Sequence, residues 1–537
     1  MSGQNLFHGR LGAVIALLLF MTGLPAAAQQ DPSGAADDDP VLVAMTFDFN
    51  ALDPHRAFCD ACRTYLAATY ETLLTLDAGN NPVPLLAESW QANEAQTVFT
   101  FRLDPAARFS DGSPVEARDV RWSLERLRNL AAAPTFLAAD IAAIDTPDDR
   151  TVVIRLSRPN GQFPLLLAAP YAAIVNSDVA SANGARADAD APRQDKAAAW
   201  FVSNSAGSGP FVLQSYRTGE ELTLARNPAY WREPPHLETV TLVHAADSEA
   251  KAGLLASGDA DAAIGIDAPA IRKLVQSKKF TIEQQPADHF IYLALSPGAK
   301  QGGEKLTPAV REAIDLALDR EALIARLLPG AASLISAPIS PLVPGGSGYV
   351  ARPHDPARAR ELLARAGHVD GLTLEAAFPA LMAFGVDFAD LMKEVQQQLA
   401  AVGVTLTLRP LPYTQWRETI NGEGIPVTAV FYAPDYVGTE QYAEYFGLLE
   451  GSPWMQRAAM KAPEGLNRRE GQLMKQALSE PLDRAATTWH RLGLELVGDR
   501  IILPLMSPDI ILVSNRKVAG LRHTSCCGVP LGGLRRP

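Results

Sequence analysis

The residues with the most chemistry in them are four cysteines, nine histidines and one aspartate on an aromatic loop. Cys59 and Cys62 form a C-x-x-C pair, and Cys526 and Cys527 are adjacent near the end of the chain. Four cysteines allow three connectivities; adjacent cysteines fit a tetrahedral zinc site poorly, so disulfides are expected rather than a metal, with Cys59–Cys62 as one local option. The histidines, among them His55, His236, His244 and His289, have no ligand spacing and read as ordinary surface or core residues. The sequence holds no G-x-S-x-G elbow, H-E-x-x-H pair, Walker loop or G-x-G-x-x-G after a strand, so no enzymatic activity and no cofactor are expected. For binding, the stretch VTAVFYAPDY is the informative one. Val427 to Phe431 reads as a strand, which leaves Tyr432, Pro434, Asp435 and Tyr436 on the loop at its end. A carboxylate held in a partly dry cleft bonds an ammonium group far more strongly than a neutral acceptor would, and aromatic neighbours add apolar walls and a cation–π contribution.

Elements that could position such a loop recur along the chain. Thr97 to Leu103 alternates with Phe99, Phe101 and Leu103 on one face, Asp111-Gly112 is a turn signal, and Val120, Leu124 and Leu127 then recur at helical spacing. Val41 to Thr46 is a short apolar run that ends in turn chemistry at Leu52-Asp53-Pro54. Tyr65 to Leu76 is apolar enough to be a buried helix. Thr151 to Leu156 is a β-branched strand, whereas the Ala/Asp-rich stretch Ser181 to Ala199 has no apolar rhythm and reads as an uninformative surface loop. Thr307-Pro308 and Asp355-Pro356 are capped helix starts. Leu391 to Ala401 with Val404 to Leu408 forms a helix-to-strand unit, and Ile501 to Val513 supplies two further apolar runs. Helices alternating with strands imply mixed α/β sheets.

At 537 residues the chain exceeds one core. A net charge of −12 without a basic, aromatic-interleaved stripe excludes a nucleic-acid partner. Arg10 followed by the apolar run from Leu11, with Ala26-Ala27-Ala28 before Gln29, reads as a cleavable secretory signal over residues 1–28, and no cysteine follows it to carry a lipid. Residues 29–40 are Asp-, Ala- and Gly-rich and read as a flexible leader.

The order of blocks is more specific than the periodicities. LAESW from Leu86, the aromatic strand, RFSDGSP from Arg108, SLERL from Ser123, then Ser208-Gly209-Pro210, Arg226-Asn227-Pro228-Ala229-Tyr230-Trp231 and VREAIDLALDREALI from Val310 resemble the extracytoplasmic solute-binding proteins, family 5, of peptide-type ABC transporters. The resemblance implies an α/β, two-lobe periplasmic binding protein fold of type II (peptide-binding cluster) with an extra α+β subdomain inserted in lobe one. Lobe one would comprise 41–66, 205–290 and 505–537, the inserted subdomain 67–204, and lobe two 291–504. It further implies a monomeric receptor in a Gram-negative periplasm that closes on a short peptide or other amine-bearing solute and delivers it to an inner-membrane ABC permease. The matching loop in peptide binders has an aromatic residue and, three positions later, an aspartate that takes the ligand's ammonium; here these are Tyr432 and Asp435. Family members often continue with Asp-Pro where this chain has Val437-Gly438, and Ile425-Pro426 replaces a common Phe-Asp pair, so a nickel chelate, an opine or a glycoside stay open as ligands, as does a chaperone or sensory role. Tyr442, Tyr445 and Trp454 are weaker candidates for the cleft wall, since aromatics at such spacing are more often core. With both cysteine segments in lobe one, a bridge between them would fasten the C-terminal tail.

Overall fold

The computed structural model describes residues 39–537. The expected signal peptide, 1–28, and most of the expected leader, 29–40, lie outside them. Among the described residues no helix is long and apolar enough to cross a membrane.

Three sheets organise the chain. A seven-stranded mixed sheet runs in the order Phe280–Gln285, Ile510–Asn515, Ala262–Ile264, Val41–Met45 (β1), Thr239–His244, Glu221–Arg226, Phe211–Arg217. β1 sits near its middle, parallel to both neighbours, and its side chains are buried on both faces, which is why it reads as a continuous apolar run. The chain leaves β1 through an irregular segment and enters the helix Asp60–Thr69 (α1).

A second sheet of six strands runs Ala332–Ser333, Ile502–Pro508, Phe290–Leu295 (β2), Val427–Tyr432 (β3), Leu372–Pro379, Val404–Leu411. β2 and β3 are antiparallel, with Phe290 opposite Tyr432, and β2 is buried throughout. Separate apolar clusters cover its two faces. After β3 a loop leads to the short helix Glu440–Phe446 (α2).

The third sheet, four antiparallel strands, joins Ala87–Ala92, Val98–Leu103, Thr151–Leu156 and Ile141–Asp148. Phe99, Phe101 and Leu103 are buried, and Val120, Leu124 and Leu127 line the inner face of the helix Ala117–Asn129, as their periods predict. That helix begins with a reciprocal cap between Glu116 and Asp119.

The fold is therefore the two-lobed α/β architecture the sequence implied. Strand pairing puts the chain's first passage between the large sheets at 286–289, and the second at Asp509, since Ile502–Pro508 pairs with β2 and Ile510–Asn515 pairs in the seven-stranded sheet. The two passages touch: the Ser507 hydroxyl donates to the carbonyls of Ala287 and His289, at 3.3 and 2.9 Å.

Two local expectations are corrected. The helix expected over Tyr65 to Leu76 starts earlier, at Asp60, and ends at Thr69, while Leu74–Leu76 is a strand paired with Pro82–Pro84. The cause is Glu71. Its buried carboxylate accepts from Ser208 Oγ (2.9 Å), Tyr230 OH (3.1 Å) and Trp231 Nε1 (2.8 Å), and these bonds hold residue 71 in an extended bridge with Ile174. The stretch Ser181 to Ala199 is not an uninformative surface loop. It contains short helical turns, buries Ala191 and Ala197, and places the fully buried Asp195 carboxylate on Arg126, Nε to Oδ2 at 2.9 Å. Alternating small and acidic residues hid that partnership, because it is a contact across 69 positions.

Candidate functional site

The loop after β3, the start of α1, the first passage between the sheets and the C-terminal tail converge on one region between the lobes. Asp435 is the exposed member of its loop. Although water reaches it, the surrounding walls disfavour its charge: burial pushes its carboxyl up to about 6, the Arg63 guanidinium opposes this, and the Asp60 carboxylate adds to it. Its neighbours behave differently. Tyr432, the last residue of β3, is buried in the lobe-two core, with its ring 5.2 Å from Tyr442, 4.8 Å from Tyr445 and 4.9 Å from Phe446, and its hydroxyl donates to Gln441 Oε1 at 3.2 Å. Pro434 is buried. Tyr436 is buried against the other lobe's core, its ring 6.2 Å from Phe136. The same Gln441 accepts the Asp435 N–H at 2.8 Å, so one buried amide sets the loop's course. Tyr442 and Trp454 are fully buried and bond inward, to the Asp288 carbonyl and the Tyr292 hydroxyl, so both are core.

On the facing wall, α1 starts with Cys59 as its cap, the sulfur accepting the Cys62 N–H at 3.0 Å. Asp48 accepts the N–H groups of Asp60 and Ala61, at 3.2 and 3.0 Å, and completes the helix start. Asp60 keeps most of its carboxylate exposed while pairing with Arg63 at 2.8 Å. Aromatic rings close the gap between the walls. Phe58 lies 5.3 Å from Tyr171 and 6.0 Å from Phe136, which continues to Tyr436. The Tyr171 hydroxyl donates to the Cys59 carbonyl at 3.0 Å, and burial lifts its ionisation above the usual phenol range.

The cysteines pair locally: Cys59 with Cys62, and Cys526 with Cys527. Of the connectivities left open, the local one forms rather than a bridge between the two segments: capping brings Cys59 and Cys62 together across one helical turn, with their Cα atoms 5.0 Å apart. The segments nevertheless meet. Arg63 Nη1 donates to the Ser525 carbonyl at 3.4 Å, and the Val529 N–H donates to Thr64 Oγ1 at 3.2 Å.

The site contains residues that the sequence reading did not single out: Asp60, Arg63, Asp288 and His523, with His289 noted only as a lone histidine. Burial raises the Asp288 carboxyl to about 6 and lowers the imidazoles of His289 and His523 to about 4 and about 3, so both histidines are neutral at pH 7. Asp60 and Arg63 lie beside the C-x-x-C pair and His523 lies near the adjacent cysteines, both legible features, and only folding shows that those features meet. The chemistry is that of a receptor: carboxylates of low ionic satisfaction facing aromatic walls, suited to a cation with an apolar body. Among the described residues no group of three or more His, Cys, Asp or Glu side chains is placed to hold a metal ion.

A second contact joins the lobes beside the Asp435 loop. Glu440, at the start of α2 and fully buried, accepts from Arg158 Nη2 at 2.8 Å and from Asn160 Nδ2 at 3.0 Å, while its own N–H donates to Gln162 Oε1 at 3.0 Å. Arg158 also holds Asp140, Nε to Oδ1 at 2.8 Å.

Comparison with known proteins gives these features a setting. The family model described as bacterial extracellular solute-binding proteins, family 5 Middle, matches residues 81–452. A probable D,D-dipeptide-binding periplasmic protein of Escherichia coli, DdpA, is 26% identical over 444 residues, covering 80% of each chain. The structure of HbpA2 from Haemophilus parasuis superposes with a TM-score of 0.80 at 18% identity, covering 93% of this chain and all of that one. DppA from Helicobacter pylori, in complex with the peptide STSA, superposes with a TM-score of 0.73 at 19% identity, covering 93% of this chain and 98% of its own. With the family match spanning well over half its length, the chain belongs to the family 5 bacterial extracellular solute-binding proteins.

Proposed function

We propose that this protein is the periplasmic receptor of an ABC importer, a monomer whose two lobes close on a short peptide or similar amine-bearing solute and deliver it to the membrane permease. The observation that carries this reading is Asp435: an exposed carboxylate just past the end of β3, within electrostatic reach of Asp60, Arg63 and Tyr171 on the other side of the cleft. An ammonium group entering there gains a charge-assisted bond in a region where water competes poorly. Tyr432 and Pro434 serve beneath the loop, holding it in place, and Tyr436 packs it against the opposite wall. The relatives support the ligand class, since one is described as a dipeptide binder and another was crystallised with a peptide. The secretory signal read at 1–28 supports the periplasmic address.

Native mass spectrometry of gently purified protein tests this directly. A co-purifying peptide or amine is expected, and Asp435→Ala is expected to lose it. A co-purifying metal chelate or neutral sugar, or undiminished peptide binding by Asp435→Ala, overturns the reading.

A further inference from the structure

Ligand binding through Asp435 leaves the cysteines unused, and they are paired where a bridge stabilises least. Cross-linking lowers the entropy of the unfolded chain by an amount that grows with the logarithm of the loop it closes. Cys59–Cys62 and Cys526–Cys527 span sequence separations of only 3 and 1. The two segments touch across 462 positions, from Arg63 to the Ser525 carbonyl, and a bridge there would constrain the unfolded chain far more. The start of α1 has another support as well, since Asp48 accepts the N–H groups of Asp60 and Ala61.

The two sulfurs of the C-x-x-C pair have different surroundings. Cys59 is half-buried and Cys62 fully buried, so an attacking group has one sulfur within reach. Cys59 is the N-cap of α1, and its Sγ accepts the Cys62 N–H at 3.0 Å, a bond that favours a thiolate there once the disulfide opens. Cys62 Sγ lies 3.5 Å from Asn50 Oδ1 and 3.8 Å from the Ala51 carbonyl oxygen, two acceptors that favour the S–H form over a thiolate. An accessible, capped nucleophile beside a buried, protonated partner is the division of roles that thiol–disulfide exchange requires. Position is a further, independent observation. Phe58 precedes Cys59, and its ring leads through Phe136 to Tyr436, the neighbour of Asp435, with successive centroids 6.0 and 6.2 Å apart. Tyr171 packs on Phe58 and donates to the Cys59 carbonyl. The disulfide therefore stands at the wall that meets the Asp435 loop.

We propose that Cys59–Cys62 is a reactive disulfide that exchanges with the thiol of a small amine held at Asp435, so that the cleft takes thiol-bearing peptides and captures them covalently. The ligand thiolate attacks Cys59 Sγ. A bond forms between the ligand sulfur and Cys59 as the Cys59–Cys62 bond breaks, and Cys62 leaves with the electron pair and takes up the proton that the ligand thiol gave up. One disulfide and one thiol are present before and after, so no oxidant is consumed. Release is the reverse step, Cys62 attacking Cys59 and returning the ligand as a thiol. The inference rests on the reading of Asp435 as the ammonium site, which guides the thiol to Cys59.

Two experiments on the full chain, freed of co-purified solute, test it. Wild-type protein is incubated with excess cysteinylglycine, quenched with acid, alkylated and mapped by peptide mass spectrometry; the ligand is expected on Cys59 and the alkyl group on Cys62, with the circular dichroism of the incubated protein unchanged. In Cys62→Ser, whose Cys59 is a free thiol, the disulfide of cysteinylglycine is expected to load Cys59 at least about tenfold faster than 2-hydroxyethyl disulfide, which carries no amine, each rate taken relative to that with N-acetylcysteine. Adding Asp435→Asn is expected to remove that advantage. Modification of Cys59 only after denaturation, or loading with no preference for the amine, overturns the proposal. Serylglycine, which cannot exchange, separates this failure from that of the Asp435 reading: if calorimetry shows it bound through Asp435 while Cys59 stays unmodified, the ammonium site stands and the exchange falls. A preference for the amine that survives Asp435→Asn overturns Asp435 as the ammonium site and as the guide of the exchange. No binding of serylglycine and no modification of Cys59 overturns both.

Discussion

Asp435 and Asp195 carry the same side chain and do opposite work, and their surroundings decide which. Asp195 is sealed against Arg126 and Arg56 and serves structure. Asp435 has no ion-pair partner among the described residues within contact distance and sits where water and ligand both arrive. Its raised carboxyl, about 6 in the empty protein, has a direct consequence for binding. An ammonium ligand favours the ionised form, so its affinity is full above that value. Below it, the carboxyl holds a proton that the ligand must displace, and affinity declines toward about tenfold per pH unit. Titration calorimetry at pH 7.5 and pH 5 is expected to show a loss of about tenfold in the wild-type chain, and Asp435→Asn a weak, flat profile.

At the scale of elements, the Leu52-Asp53-Pro54 turn and the SLERL block that holds Arg126 dock on one another. The helix Ala117–Asn129 presents Arg126, fully buried, to the Leu-Asp-Pro turn after β1: its two terminal nitrogens bond the two Asp53 oxygens at 2.7 and 2.6 Å, and its Nε reaches Asp195. His55 caps the group, Nε2 on the Ala173 carbonyl at 2.9 Å, and burial keeps it neutral, at about 4. Thus one arginine ties the four-stranded subdomain to the loop that leads into the binding wall. Replacing it by methionine leaves two buried carboxylates with only the partly exposed Arg56, at 3.5 Å from Asp53 and 3.3 Å from Asp195, and is expected to cost about 3–5 kcal/mol. Chemical denaturation reads this, and adding Asp53→Asn and Asp195→Asn is expected to return most of the loss.

For the molecule as a whole, closure concerns the two passages at 286–289 and Asp509, tied together by Ser507, and the contact of Glu440 with Arg158 and Asn160. The passages are the only chain connections between the large sheets among the described residues, so relative motion of the sheets must bend there. The Glu440 contact joins the subdomain to lobe two and is made only when the walls are near. Arg158 is 41% exposed, which limits what this pair contributes to about 1–2 kcal/mol. That is enough to bias an open–closed equilibrium about tenfold. Small-angle scattering of unliganded Glu440→Ala is expected to give a larger radius of gyration than wild type, with added ligand narrowing the difference; identical profiles would show the contact does not govern closure.

The sequence by itself determined the sheets and their faces. Phe99, Phe101 and Leu103, the capped starts at Thr307 and Asp355, and the strand before Asp435 all follow from local periodicity and hydrogen-bond chemistry, which act over a few residues. Its order of blocks was enough to identify the family. The burial of Asp195 in a stretch of small and acidic residues and the early end of α1 at Thr69 were decided by partners far away in the chain. The loop after β3 shows the division most closely. Local pattern placed Tyr432, Pro434, Asp435 and Tyr436 together, but alternation at a strand end and the packing of two lobes turned the tyrosines into the cores and left Asp435 facing the cleft. Asp60 and Arg63, hundreds of positions away, reach it only because the tertiary structure closes that distance.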